Sequence, residues 1–544
     1  MIIKNRIRYL KMIKFSKYIK KLQRNKSDDC YIKVFKNFNL LDSLKTIAIK
    51  SWNIDASTSE AFNINQQEDI DPQLIYINQF VLAYLANILI ISGANNHRNL
   101  RLSDFTTDEM ISFCSAYFNN LKEPLITNNN IEEYFIRLNY EQFDYNICEA
   151  YCIARSIELY INIASKVTPI LQNYFLQNTN LSIEAYFKIA YIIYIYSHYS
   201  PIFQKQNLIK SIIQYFPNIS ANEVEYFLET NSSSIVNLRQ IDADRNQKCH
   251  RGSKYKYNFL KEFPIVEIKK DSYIIPNKTI YIKQIFDIFW KFEKYIGLSF
   301  RESYFDKIFD AYVGNILKNI FSSNKIEKIT YDKNNGEAEF FDWCVFDETN
   351  KIIYAFECKG YQLNISNIVT GNISEQYLSK FIDKPISQMF NRLADLTSGQ
   401  YDKINHLQGY TIIPIGIYYD IPFASGTIHE NEINLLLKDD ELINKLSKSH
   451  KQISRIIKDG EISHLENFDY YLLSVSDLEL LQGAIQYDSN LLNFKDILFQ
   501  MRKDDTLMER FGKLIFDKTS KKNIKVPYLD DIYNKFADNI ELKQ

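Results

Sequence analysis

The sequence predicts an α/β protein in which strands and helices alternate through the C-terminal half, behind a half that is mainly α-helical. Three observations carry this expectation. From residue 42 to about 228, long aliphatic and aromatic runs recur at helical spacing between Asn-rich loops. Residues 336–359 (GEAEFFDWCVFDETNKIIYAFECK) hold two strand-like runs around a polar turn, the pattern of a hairpin. Further on, helical stretches alternate with the strand-like runs 410–418 (YTIIPIGIY) and 468–475 (FDYYLLSV).

A chain of 544 residues is longer than one core usually organises. The expected division is an α-helical recognition or regulatory domain over 1–230, a polar basic linker over 231–258, an α/β domain over 259–485 and a helical extension over 486–544. Hydrophobic content of 46% with 15% aromatic residues excludes a largely disordered chain. The net charge of −1 excludes a basic field over the whole molecule, so any nucleic-acid surface is local. Seven cysteines form no Cys-x-x-Cys pair, and Cys148 and Cys152 have no histidine nearby to complete a zinc site. Reduced thiols of a cytoplasmic protein are expected, and no phosphate-binding Gly-x-x-x-x-Gly-Lys loop occurs.

In chain order, the first 26 residues carry ten Lys/Arg and no acid, which predicts a basic amphipathic helix; Met12 is an alternative start. It lacks the apolar core of a secretory signal. Residues 72–91 have the length of a membrane span, but Gln73, Asn78, Gln79 and Asn87 interrupt them, so a buried helix and no integral membrane segment are expected. Helices are also expected at 108–121, 131–138, 148–167 and 181–196, with Ser182 and Ser220 near helix starts. Residues 231–257 gather Arg239, Arg245, Lys248, His250, Arg251, Lys254 and Lys256, cations that suit phosphate as well as a plain linker. A hairpin at 263–280 and a helix at 282–295 lead to a helix at 303–321 with a broad apolar face. Helices at 386–396, 431–458 and 476–484 follow; His429, in the loop 420–430, is the only histidine to weigh for a cleft, and a lone loop histidine is usually incidental.

The chemistry concentrates at the hairpin. Glu357 and Lys359 project to the same side of one strand, Cys358 to the other, and pairing brings Asp342 of the first strand near both. Paired carboxylates suit a hard divalent cation such as Mg²⁺, and an adjacent lysine can orient a water or offset charge on a phosphorane. That combination is suited to metal-assisted phosphodiester hydrolysis.

Asp342 followed, after fourteen residues, by Glu357-Cys358-Lys359 resembles the D…(D/E)-x-K signature of the PD-(D/E)xK nuclease superfamily. Phe341 stands where the signature often has proline. The resemblance covers about 300–480 and implies a restriction-endonuclease-like mixed sheet flanked by helices, in the order helix, three strands, helix, strand. It further implies a Mg²⁺-dependent endodeoxyribonuclease, with Mn²⁺ as a substitute metal, leaving 5′-phosphate and 3′-hydroxyl ends. Asp342, Glu357 and the backbone carbonyl of Cys358 would hold the metal, and Lys359 the water. Asp310 of the leading helix would assist, with Glu302 and Asp306 as rivals, while Gln388, with Arg392 one turn on, would face substrate or water. DNA is the implied substrate and RNA an alternative, with a homodimer or an activating protein as partner. A helical module joined to such a nuclease resembles bacterial anti-phage defence or restriction proteins. The competing expectation is a catalytically silent nucleic-acid-binding subunit of the same fold.

Overall fold

Helical spacing in the N-terminal half becomes helix, and its apolar faces set where each helix lies. The computed structural model describes residues 35–53, 79–93, 101–104, 149–246, 258–297, 299–333, 336–362, 384–419, 426–428, 470–487, 493–503, 515, 519 and 524–541. The basic N-terminal segment, the helices expected at 108–121, 131–138 and 431–458, His429 and the cations from Lys248 to Lys256 lie outside these residues. The protein is α/β, with helices gathered N-terminally and a mixed sheet following.

The helices of the first half are α1 (Leu40–Asn53), α2 (Gln79–Ser92), α3 (Glu149–Ile157), α4 (Ile170–Thr179), α5 (Ile183–Tyr199), α6 (Lys205–Tyr215), α7 (Ala221–Asn231) and α8 (Ile235–Asn246). Ser182 caps α5 by accepting from Ala185 N–H, and Ser220 with Glu223 forms a reciprocal capping box on α7. Asn180 ends α4 in the left-handed conformation at φ 56°, which asparagine tolerates. Buried α2 shows why polar residues interrupt its apolar run. Gln79 accepts from Ser51 Oγ at 2.6 Å and donates to Ser51 O at 2.7 Å, and Asn277 donates to its carbonyl at 2.9 Å. Among the described residues no helix is long and apolar enough to cross a membrane.

Four short strands, β1 (Ile202–Gln204), β2 (Ser232–Ser234), β3 (Ile265–Lys269) and β4 (Ser272–Ile274), form a sheet in the order β1-β4-β3-β2. The alternation of side chains divides it between two cores. Val266 and Ile274 join a small core with α1 and α2, whereas Ile265, Tyr273 and Ile275 join the large one. Residues 231–258, expected as a linker, therefore contribute β2 and α8 before passing outside the described residues at 247–257. The polar run deceives because β2 pairs with β3 through its backbone, which three serines supply as well as any residues. Arg239, grouped by sequence with phosphate-seeking cations, instead donates to the Ile90 and Gly93 carbonyls at 2.8 and 2.6 Å, capping the end of α2. The helix expected at 282–295 is divided at Asp287 into α9 (Lys278–Phe286) and α10 (Phe289–Ile296).

A π-helical turn, Arg301–Phe305, leads into α11 (Asp306–Ile320). Its buried residues Ile308, Phe309, Tyr312, Val313, Ile316, Leu317 and Ile320 follow the helical period and meet the larger sheet. Strands β5 (Lys325–Glu327), β6 (Thr330–Lys333), β7 (Gly336–Glu339), β8 (Trp343–Asp347) and β9 (Ile352–Lys359) follow; then α12 (Lys384–Thr397), β10 (Thr411–Tyr418), β11 (Gly426–Ile428) and β12 (Tyr470–Ser474). The main sheet runs β11-β12-β10-β9-β8-β5. β5, β8 and β9 are antiparallel neighbours, and β9, β10 and β12 are parallel ones. β6 and β7 form a separate two-stranded ribbon, so the first hairpin strand begins at Trp343 and not, as the aromatic run suggested, at Phe340.

Helices α13 (Val475–Ala484), α14 (Phe494–Lys503) and α15 (Pro527–Glu541) complete the described chain. One large core extends from Trp52 through α3–α5, α11 and the main sheet to Phe536, so the packing has no gap at the expected 230/259 boundary. Arg155 of α3 pairs with Glu479 of α13 at 2.6 Å, and Tyr312 of α11 donates to the same carboxylate at 2.6 Å. Tyr191 packs against Phe536 and Tyr533, folding α15 back onto the helical half.

Candidate active site

Strand register builds the site. β8 and β9 pair antiparallel with Trp343 opposite Phe356, and one residue further on Asp342 comes opposite Glu357. Trp343, Phe356 and Cys358 face α11 and the large core; Asp342, Glu357 and Lys359 face α12. The Cys358 N–H donates to Asp342 Oδ2 at 2.6 Å, locking the aspartate to the strand that bears the glutamate. Lys359 Nζ lies 2.6 Å from Glu357 Oε1 and donates to Gln388 Oε1 at 2.8 Å. The other Glu357 oxygen, Oε2, is taken by Arg392. Asp342, Glu357, Lys359 and Gln388 thus stand together.

Glu357 is 4% exposed, so its charge survives through its partners. Burial pushes its carboxyl up, but Lys359 and Arg392 outweigh that and hold it below the usual range. Asp342 behaves oppositely. Burial and then the Glu357 charge push it up to about 7, against the opposing pull of Lys359. Among the described residues no cation is ion-paired to Asp342: Lys359 and Arg392 are engaged by Glu357, and Lys328 by Asp310. Glu357 and Asp342 hold Arg392 firmly charged despite its burial.

Among the described residues no ion pair ties Asp310 to this cluster, although the Glu357 charge reaches it. Its Oδ2 pairs with Lys328 and its backbone carbonyl accepts from Trp343 Nε1 at 3.2 Å, on the side of the sheet covered by α11. Its Oδ1 is buried without a hydrogen-bond partner, and burial raises its carboxyl. The rival Asp306 lies nearer the strand end, where the Gly360 N–H bonds its carboxylate. Gly360 is required there, since a Cβ would meet Asp306 Oδ1 at 2.7 Å and the Phe305 ring at 2.9 Å. The other rival, Glu302, is directed to Arg301.

α12 carries the remaining polar groups. Met389, Leu393 and Leu396 are buried, while Gln388, Arg392 and Asp395 recur at spacings of four and three along the adjoining face. Arg392 lies over the Phe341 ring, 5.3 Å from its centroid. Asp395 was not singled out in the sequence, yet its Oδ2 receives both Tyr331 Oη and Lys333 Nζ from β6, clamping α12 to the ribbon. The spacing on one helix face was the available signal; the ribbon that answers it is a tertiary feature.

Among the described residues no three His, Cys, Asp or Glu side chains converge as a metal-binding group. Two carboxylates abreast are nevertheless a donor set that suits Mg²⁺, which takes one or two carboxylates and fills its shell with water and substrate phosphate. Asp342, pushed up by burial and then by the neighbouring Glu357 carboxylate, is ion-paired to no cation among the described residues. The Cys358 N–H also meets this site, through Asp342. Compared with protein-family models, with curated proteins and with solved structures, the chain matches none.

Proposed function

We propose that the protein is a metal-dependent nuclease of the PD-(D/E)xK kind, hydrolysing phosphodiester bonds in DNA. The observation that carries this reading is the meeting of Asp342, Glu357 and Lys359 at the end of β8 and β9. Support also comes from the element order α11, β5-β8-β9 antiparallel, α12, then β10 parallel to β9. Apart from the inserted β6-β7 ribbon, that order agrees with the one the resemblance implies.

Asp342 and Glu357 would hold Mg²⁺ or Mn²⁺, which when bound supplies an activated water and polarises the phosphate. Lys359, steadied between Glu357 and Gln388, orients that water and offsets charge developing on the phosphorane. Asp310, paired with Lys328, would assist from the leading helix. The cytoplasmic setting, and a role in anti-phage defence or restriction, belong to the same proposal.

The test is incubation of the purified chain with circular plasmid in Mg²⁺ or in EDTA, beside Lys359→Ala. Nicking that needs Mg²⁺ and disappears in the variant supports the reading; equal nicking by the variant overturns it. One observation favours a second reading, a silent nucleic-acid-binding subunit: both Glu357 oxygens are ion-paired, as in a carboxylate kept for structure. That reading expects plasmid retention without nicking. A labelled RNA in the same assay separates an RNA-directed nuclease.

A further inference from the structure

Both oxygens of Glu357 are already paired without a metal: Lys359 takes Oε1 and Arg392 takes Oε2. Glu357 is 4% exposed, and the side chains of Lys359 and Arg392 are 13% and 16% exposed, so water screens this cluster weakly. A divalent cation that took Glu357 would stand beside both of these resident positive charges. Either a resident cation must withdraw or an anion must arrive.

The two residents are not equivalent. Lys359 sits on the central strand β9 and bridges Glu357 Oε1 to Gln388, so it is held from two sides. Arg392 reaches Glu357 Oε2 from α12, its guanidinium over Phe341. A guanidinium also offers a planar fork of donors that matches a phosphate as well as a carboxylate. The oxygen it covers is one that a bound metal would need.

We infer that Arg392 is the resident counter-ion of Glu357 in the metal-free protein and moves to the scissile phosphate when a divalent cation takes that carboxylate. The inference rests on the nuclease reading above. Metal and nucleic acid then assist each other's binding, since the phosphate offers the displaced guanidinium a new anion. Arg392 thereby guards the site against metal in the absence of substrate.

Mg²⁺ is titrated calorimetrically into the metal-free full chain and into Arg392→Met, with plasmid nicking measured in parallel. The expected result is Mg²⁺ binding about tenfold tighter in the variant, together with nicking about 100-fold slower through loss of the phosphate contact. The metal-free variant should also melt earlier, and combining it with Glu357→Gln should restore much of that loss. Unchanged Mg²⁺ affinity in a folded Arg392→Met, or nicking at the wild-type rate, overturns the inference and leaves the nuclease reading standing. A second measurement needs only the wild type: Mg²⁺ affinity with and without a phosphorothioate duplex. Tighter binding with the duplex is expected, and equal affinity overturns the inference. Absence of Mg²⁺ binding and of nicking in every form refutes the nuclease reading and the inference with it.

Discussion

Replacing Gly314 by alanine measures how rigidly the sheet beneath the site is held. In an exposed helix interior the change would stabilise by up to ~1 kcal/mol, because glycine loses more backbone freedom on folding. Here the new Cβ would stand 2.2 Å from Trp343 Cζ2, 2.7 Å from Cε2 and 2.8 Å from Cη2, where carbon contacts prefer roughly 3.5–4.0 Å. The ring is not free to swing aside. Its Nε1 donates to Asp310 O at 3.2 Å, and Lys328 lies 4.7 Å from its centroid and Lys318 5.3 Å. Overpacking costs about 1–3 kcal/mol, and disturbing the indole hydrogen bond adds about 1 kcal/mol, so net destabilisation of about 1–3 kcal/mol is expected. Trp343 follows Asp342 and pairs with the residue before Glu357, so the displacement reaches the carboxylates. Shifting reacting groups by about 1 Å can slow an enzyme on the order of 100-fold. Urea unfolding followed by tryptophan fluorescence gives the stability, and plasmid nicking gives the function. A Gly314→Ala protein as stable as the wild type or more so, with unchanged fluorescence, would show that the ring yields easily and would refute this account of the packing.

Three further outcomes are expected. Asp342 titrates near 7 when folded against an ordinary 3.8, so its contribution to stability is fully present below about pH 4 and is lost as pH rises through 7. In EDTA, Asp342→Asn should therefore gain on the wild type as pH goes from 5 to 8, by at most ~4 kcal/mol; a difference in melting temperature that stays constant with pH contradicts this. Removing Asp395 releases Tyr331 and Lys333 together, so Asp395→Ala should cost about 1–3 kcal/mol and slow nicking while circular dichroism is retained; wild-type nicking would deny it a positioning role. Glu479 is 3% exposed and holds Arg155 and Tyr312, so Arg155→Ala should destabilise by about 3–5 kcal/mol in urea, and Arg155→Met with Glu479→Leu should recover most of it; additive losses would refute the pairing.

What the residues determined alone was local and periodic. The apolar spacing along 306–320 dictates a helix with one buried face, and the alternation in 352–359 dictates that Glu357 and Lys359 share a side while Cys358 takes the other. Both follow from geometry that neighbours in the chain impose on each other. Only the tertiary structure decided which partners the carboxylates of the leading helix take, Asp310 pairing with Lys328 of the segment that follows β5. It alone closed Arg392 onto Glu357 and Asp395 onto Tyr331, pairs separated by 35 and 64 residues, and made an edge strand of three serines that read as a linker. Such pairings depend on where whole elements come to rest, and that is fixed by a core running from Trp52 to Phe536 through which no single stretch of sequence passes unaided.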